Sequence, residues 1–211
     1  MTVAPVRPRL DGPTPLSLDE LVELTRITAA QVRSGAHAVQ FDEINRWSVR
    51  LHSDDFADVW LISWTQEQST ELHDHAGSLG ALTVVSGELT ERYWTLDDAG
   101  RPGLRSHQLP SSTEIGFAVG HVHDVVNTQV QPAVSVHAYS PPLTAMAYYE
   151  VDLAGSLRRT RTILTDDPEP EVPTLVVPTQ TAPADAAPSE AVPLLGSPLE
   201  SPALADRSDQ G

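Results

Sequence analysis

The chain of 211 residues contains no cysteine. A disulfide framework, a zinc–thiolate site and an iron–sulfur cluster are therefore excluded, and any metal must be held by histidine nitrogen or by oxygen. Basic residues are scarce as well: 13 Lys and Arg stand against 29 Asp and Glu, a formal charge of −16. A chain this acidic repels polyphosphate, so neither nucleic acid nor an anionic membrane surface is an expected partner. Long apolar runs are missing too. No stretch approaches the roughly 18–20 residues of a membrane span, and the opening MTVAPVRPRLDGPTP lacks the apolar core of a signal peptide. The expectation is a cytoplasmic monomer with a single core.

What is present changes character near Asp166. Residues 166–211 hold nine of the 18 prolines, nine acids and a single base, Arg207. Regularly placed proline removes backbone donors, and the aliphatic residues between keep no period. The segment reads as a disordered acidic tail, 166–211, behind a folded domain, 1–165.

Within that domain, Ser17-Leu18-Asp19-Glu20 is a capping box, with serine at the N-cap and glutamate three residues on. Leu18, Leu21, Val22, Leu24 and Ala29 fall on or near one face behind it, which predicts an amphipathic helix ending around Ser34-Gly35. A second short helix is predicted over 41–47. Beyond Val49 the pattern turns to short β-rich runs at 59–65, 81–86, 89–96, 114–119, 124–127, 133–139 and 145–152, separated by turn signals such as Ser86-Gly87 and Pro141-Pro142. Many short strands at near-regular spacing predict a mainly β fold, an antiparallel barrel or double-sheet jelly roll with helices at its N-terminal end.

Eight histidines occur, four of them in two pairs, His73-Asp74-His75 and His121-Val122-His123. Residues i and i+2 of a strand share a face, so each pair aims two imidazoles into one space, a chelating geometry. His73-x-His75, then Gly80, then Gly87 resembles the first motif of the cupins, with Gly80 standing where that family has a glutamate ligand. Gly120, His123 and Asn127 resemble the end of the second motif, with Ala118 in place of its proline, and this selects His123 over His121 as third ligand. Three neutral imidazoles without a carboxylate would leave a divalent metal its full charge, suited to an anionic substrate.

Cupins without the glutamate include the thiol dioxygenases. Ser135-Val136-His137-Ala138-Tyr139-Ser140-Pro141-Pro142 resembles a run of type I cysteine dioxygenase, as do His73-Asp74-His75 with Ser78 and Gly80, and His123 through Asn127. The resemblance covers roughly residues 15–155. It implies a cupin β-barrel, Fe(II) held by His73, His75 and His123, and Ser135, His137 and Tyr139 as a hydrogen-bonded triad beside the bound substrate. It implies dioxygenation of L-cysteine to cysteine sulfinic acid, with a small thiol and O2 as the molecules engaged. Ligand chemistry alone leaves zinc, copper and nickel open. A substrate carboxylate calls for an arginine; Arg50 best fits the family's position and Arg46 is the alternative. Animal members carry at the place of Gly80 a cysteine that becomes joined to the tyrosine matching Tyr139. That crosslink is impossible here. Alternatives are a dioxygenase for 3-mercaptopropionate or cysteamine, a cupin that binds metal or ligand without turnover, and a zinc- or manganese-dependent isomerase or hydrolase.

Overall fold

A computed structural model describes residues 15–168. The first element is helix α1, Leu18–Arg33, whose start is the capping box: the Ser17 hydroxyl accepts from the Glu20 amide, and the Glu20 side chain accepts from the Ser17 amide. Two of the helix's unsatisfied first-turn donors are met this way. The Leu16 amide, just upstream, donates to the buried Ser140 hydroxyl at 2.7 Å and ties the helix entry to the barrel.

Eleven strands follow: β1 Trp47–Ser53, β2 Asp58–Trp64, β3 His73–Asp74, β4 Leu79–Ser86, β5 Glu88–Leu96, β6 Pro102–Pro110, β7 Glu114–Phe117, β8 His123–Val126, β9 Ala133–Ser140, β10 Ala145–Val151 and β11 Leu157–Leu164. They form two antiparallel sheets, one in the order β1-β2-β9-β4-β7 and the other β11-β10-β3-β8-β5-β6. This is the predicted double-sheet architecture. Among the described residues no helix is long and apolar enough to cross a membrane.

The five-stranded sheet is covered on both sides, and every residue of β2 and β9 is buried. Alternation then sorts their side chains. Val59 and Leu61 of β2, with Val134, Val136 and Ala138 of β9, pack beneath α1 against Leu21, Leu24, Ala29 and Val32. Trp60, Ile62, Trp64 and Tyr139 face the other way, into a second cluster with Leu82, Leu89, Phe117 and Val125. The helix sits close to the sheet because Gly116 has no side chain; a Cβ there would stand 2.9 Å from Leu18.

The structure departs from the sequence-based expectation in three places. Residues 41–46 are not helical: the Asp42 carboxylate accepts from the amides of Ile44 and Asn45, a local turn that competes with a helix, and Trp47 already opens β1. Strands β1, β3, β6 and β11 lie outside the predicted runs: β6 and β11 are largely exposed and read as polar sequence, β1 is only partly buried, and β3 has just two residues. Asp166–Pro168 also do not behave as tail. Thr165 donates its amide to Thr144, Asp166 pairs with Arg50, and Pro168 is buried. The remainder of the predicted tail lies outside the described residues.

Two substitutions separate the contributions of α1. Ser17→Ala is expected to lower unfolding free energy by about 1 kcal/mol, and Leu21→Ala, which opens the core beneath the helix, by about 2–5 kcal/mol. Urea denaturation followed by circular dichroism measures both; equal effects would contradict this division between cap and core.

Candidate metal centre and its surroundings

Three histidines meet at the middle of the six-stranded sheet. His73 on β3 and His123 on β8 are register partners, and His75 follows immediately after β3. The turn that brings His75 round is held by Asp74, which accepts from the Ala76 amide at 2.8 Å and from the Tyr149 hydroxyl at 2.6 Å. All three imidazoles are buried, and one nitrogen from each lies within 4.8 Å of the others. The Nε2 atoms of His75 and His123 are 3.5 Å apart.

Hydrogen bonding settles which nitrogens face inward. Nδ1 of His73 lies 2.7 Å from the Glu71 carbonyl, and Nδ1 of His123 lies 2.9 Å from a Glu91 carboxylate oxygen. Both partners only accept, so each Nδ1 carries the proton and each Nε2 presents a lone pair to the common point. Burial, reinforced by the neighbouring imidazoles, brings the pKa of His73 down to about 3 and that of His75 well below the ordinary value. His123 is lowered too, chiefly by burial, against the pull of Glu91. Converging lone pairs on neutral rings repel one another. A shared cation removes the repulsion, and two nitrogens each about 2.1 Å from one ion sit about 3–3.5 Å apart, as His75 and His123 do. The donor set therefore fits a divalent metal of the kind that imidazole favours.

Gly80 on β4 has His75 at its back. A Cβ there would lie 3.0 Å from both the His75 ring and Phe117, so the space of a fourth protein ligand is filled by the third imidazole itself. Gly80 is also the register partner of Tyr139 on β9.

Across the gap, β9 presents Ser135, His137 and Tyr139 on its inward face. Trp64 donates its indole N–H to the Ser135 hydroxyl at 2.9 Å, and that hydroxyl lies 2.8 Å from Nε2 of His137. Burial, reinforced by the neighbouring His123 and Arg46, holds the His137 pKa down at about 3, so this ring is neutral as well. The Tyr139 ring packs edge-on against His75, with centroids 4.8 Å apart. A cavity of about 10 Å³, room for roughly one water-sized group, is lined by the three converging histidines together with His137, Tyr139, Ile62, Trp64 and Pro168. Beside it a larger cavity of about 160 Å³ shares His73, Thr70 and Pro168 and is lined by Arg46, Met146 and Tyr148.

The two arginines weighed from sequence are placed differently. Ser48 and Arg50 pair in register with the inward-facing Ile62 and Trp60, so this face of β1 continues the wall of the site. Arg46 lies over the Trp64 ring at 5.1 Å and lines the larger cavity. Arg50 lies over Trp60 at 4.5 Å and pairs with the Asp166 carboxylate at 2.9 Å, and it lines neither cavity. Sequence reasoning passed over Glu91 and Thr70 and assigned His107 to the surface, whereas its ring lies against the buried Glu91 carboxylate. Nothing local marks them, although an isolated glutamate two residues past the buried Leu89 on one strand face was a readable signal.

Two sheets enclosing a three-histidine centre define a cupin-type barrel. A family model described as cysteine dioxygenase type I matches residues 16–151, and the chain belongs to that family. Among solved structures it is similar to a Klebsiella pneumoniae protein with a double-stranded β-helix domain, at 17% identity over 64% of this chain and 96% of that one, with a TM-score of 0.43. It is also similar to a cupin superfamily protein from Desulfitobacterium hafniense, at 15% identity over 48% and 83%, TM-score 0.40. An oxalate oxidase in complex with glycolate matches at 15% identity over 54% and 60%, TM-score 0.44. Resemblances this distant say nothing of substrate.

The packing at Gly80 yields a direct test. Gly80→Val forces branched carbon against His75 and Phe117, and overpacking of this kind costs about 1–3 kcal/mol. The expected outcome is a lower melting temperature together with weakened metal binding by titration; a variant with wild-type metal affinity would contradict the close fit.

Proposed function

We propose that this chain adds both atoms of O2 to the sulfur of a small carboxylate-bearing thiol, with L-cysteine as the substrate and cysteine sulfinic acid as the product. The overall change is RSH + O2 → RSO2H, in which sulfur is oxidised, oxygen is reduced and no other reductant enters. The observation that carries this reading is the set of three neutral, inward-facing imidazoles with no carboxylate among them, in a member of the cysteine dioxygenase type I family.

His73, His75 and His123 would hold Fe(II). When bound, the metal supplies the redox chemistry that lets a thiolate and O2 react at one centre. The remaining tasks belong to the protein. The small inner cavity excludes bulk water, which strengthens every electrostatic contact within it. Tyr139 points its ring against His75, and its hydroxyl is proposed to donate a hydrogen bond to the reacting oxygen or sulfur. Ser135, engaged by Trp64, is hydrogen-bonded to His137, which keeps that ring in one orientation behind the tyrosine.

The substrate carboxylate is assigned to two arginines, Arg46 just before β1 and Arg50 on it. Arg46 has first place because it lines the larger cavity beside His73, and its planar fork suits a carboxylate. Arg50, the choice from sequence, takes part only if it is released from Asp166. Cysteamine has no carboxylate and should gain nothing from either.

Anaerobic loading with Fe(II), followed by oxygen uptake and mass analysis of the product, tests the reaction. Uptake with L-cysteine and formation of the sulfinate are expected; iron-loaded protein that consumes no oxygen with any of cysteine, 3-mercaptopropionate or cysteamine would rule it out. Arg46→Ala should lower kcat/KM for the two carboxylate-bearing thiols by about 10–100-fold, the loss of a charged hydrogen bond of about 1.5–3 kcal/mol, and leave cysteamine unchanged. An equal loss for all three would move the carboxylate contact elsewhere.

A further inference from the structure

Glu91 is the least expected residue in the interior. It lies on β5 two residues after the fully buried Leu89, its side chain is 2% exposed, and it faces the apolar cluster that includes Phe117 and Val125. An isolated carboxylate in such surroundings is strongly disfavoured unless it is hydrogen-bonded. Three imidazoles meet that need. Oε1 accepts from Nδ1 of His123 at 2.9 Å and lies 2.8 Å from Nε2 of His121; Oε2 lies 2.6 Å from Nε2 of His107, the register partner of Glu91 on β6. Burial by itself would raise the Glu91 pKa, but the hydrogen bonds from His121 and His123 outweigh it and bring the value down to about 2.

We infer that Glu91 is a positioning residue for the metal centre, acting through His123, and that His107 and His121 hold it in place from the outer side. This inference rests on the three-histidine reading of the centre. His123 differs from the other two candidate ligands in having a charged acceptor behind it: His73 leans on a backbone carbonyl, and His75 backs onto Gly80. A carboxylate on Nδ1–H fixes the ring's tautomer and rotation and makes Nε2 a stronger donor, so the metal bound there is held more tightly and its positive charge is better stabilised. The His121 ring stacks on Phe117 at 17° between planes, and Phe117 in turn packs on His123 with centroids 4.3 Å apart. The carboxylate is thus clamped on one side by the ligand ring and on the other by His107 and His121, which border a cavity of about 240 Å³ with Tyr93 and Ile115.

A core carboxylate that merely satisfies its neighbours would affect stability alone; a positioning carboxylate must also change the metal's environment. Full-length wild type, Glu91→Gln and Glu91→Ala are compared for Co(II) affinity by titration and for the visible absorption bands of bound Co(II), which report ligand field and do not depend on turnover. Glutamine keeps an acceptor for His123 and removes the charge, whereas alanine removes both. Expected are an affinity loss of about 10–100-fold for alanine, a smaller loss in the same direction for glutamine, and displaced Co(II) bands in both. Wild-type affinity and unmoved bands in the glutamine variant, whatever the melting temperatures, would overturn the inference and leave the metal centre standing. Wild-type protein that binds no Co(II) would overturn the metal centre and the inference with it. Should the alanine variant fail to fold, the glutamine variant decides.

Discussion

The structure depends on burying three neutral imidazoles with their lone pairs turned toward one point. A shared cation makes that arrangement favourable. Uncharged rings facing edge to edge repel, and their protonation is opposed by burial and by one another. The chain nevertheless supplies the means to keep the rings turned inward: a carbonyl behind His73, a carboxylate behind His123, and a glycine where a side chain would push His75 away. A metal also explains why this apolar interior tolerates so dense a polar group, since ligand orientation by outer hydrogen bonds is part of how such sites work.

The rest of the fold serves that constraint. Because α1 covers the outer side of the five-stranded sheet, both faces of β9 are buried, and its alternation delivers Val134, Val136 and Ala138 to the helix and Ser135, His137 and Tyr139 to the centre. The six-stranded sheet, with the turn after β3, carries the three candidate ligands, and the other sheet carries Ser135, His137 and Tyr139 opposite them. Under the proposed function a substrate between the sheets would meet metal on one side and hydrogen-bonding groups on the other. The two neighbouring cavities match a division of labour, with room for a small group at the histidines and for a larger one beside Arg46.

Much of this was legible in the sequence because period-2 alternation and short-range spacing are local. The Ser-x-His-x-Tyr run places its side chains by strand geometry alone, the spacing of His73 and His75 marks the pair although a turn held by Asp74 completes it, and the capping box marks α1 to the residue. What was not legible depends on tertiary contact. Residues 41–46 carry helix-compatible side chains, but Asp42 satisfies the local amides itself. Strand β6 shows few buried residues because it lies at a sheet edge and pairs only with β5. The choice between Arg46 and Arg50 rests on which inward neighbour each stacks against, and on Asp166, more than a hundred positions away. Glu91 has no motif around it; its meaning comes from β5, β6, β8 and the loop before β8 bringing His107, His121 and His123 to one carboxylate.

X-ray absorption at the iron edge of protein loaded anaerobically with Fe(II) tests the central claim most directly, since imidazole rings give multiple-scattering features that carboxylates and water do not. Three imidazoles bound to one iron, falling to two when His123 is replaced by alanine, is the result this account predicts. An iron shell of oxygen donors alone, or one whose imidazole count is unchanged by removal of His123, would contradict it.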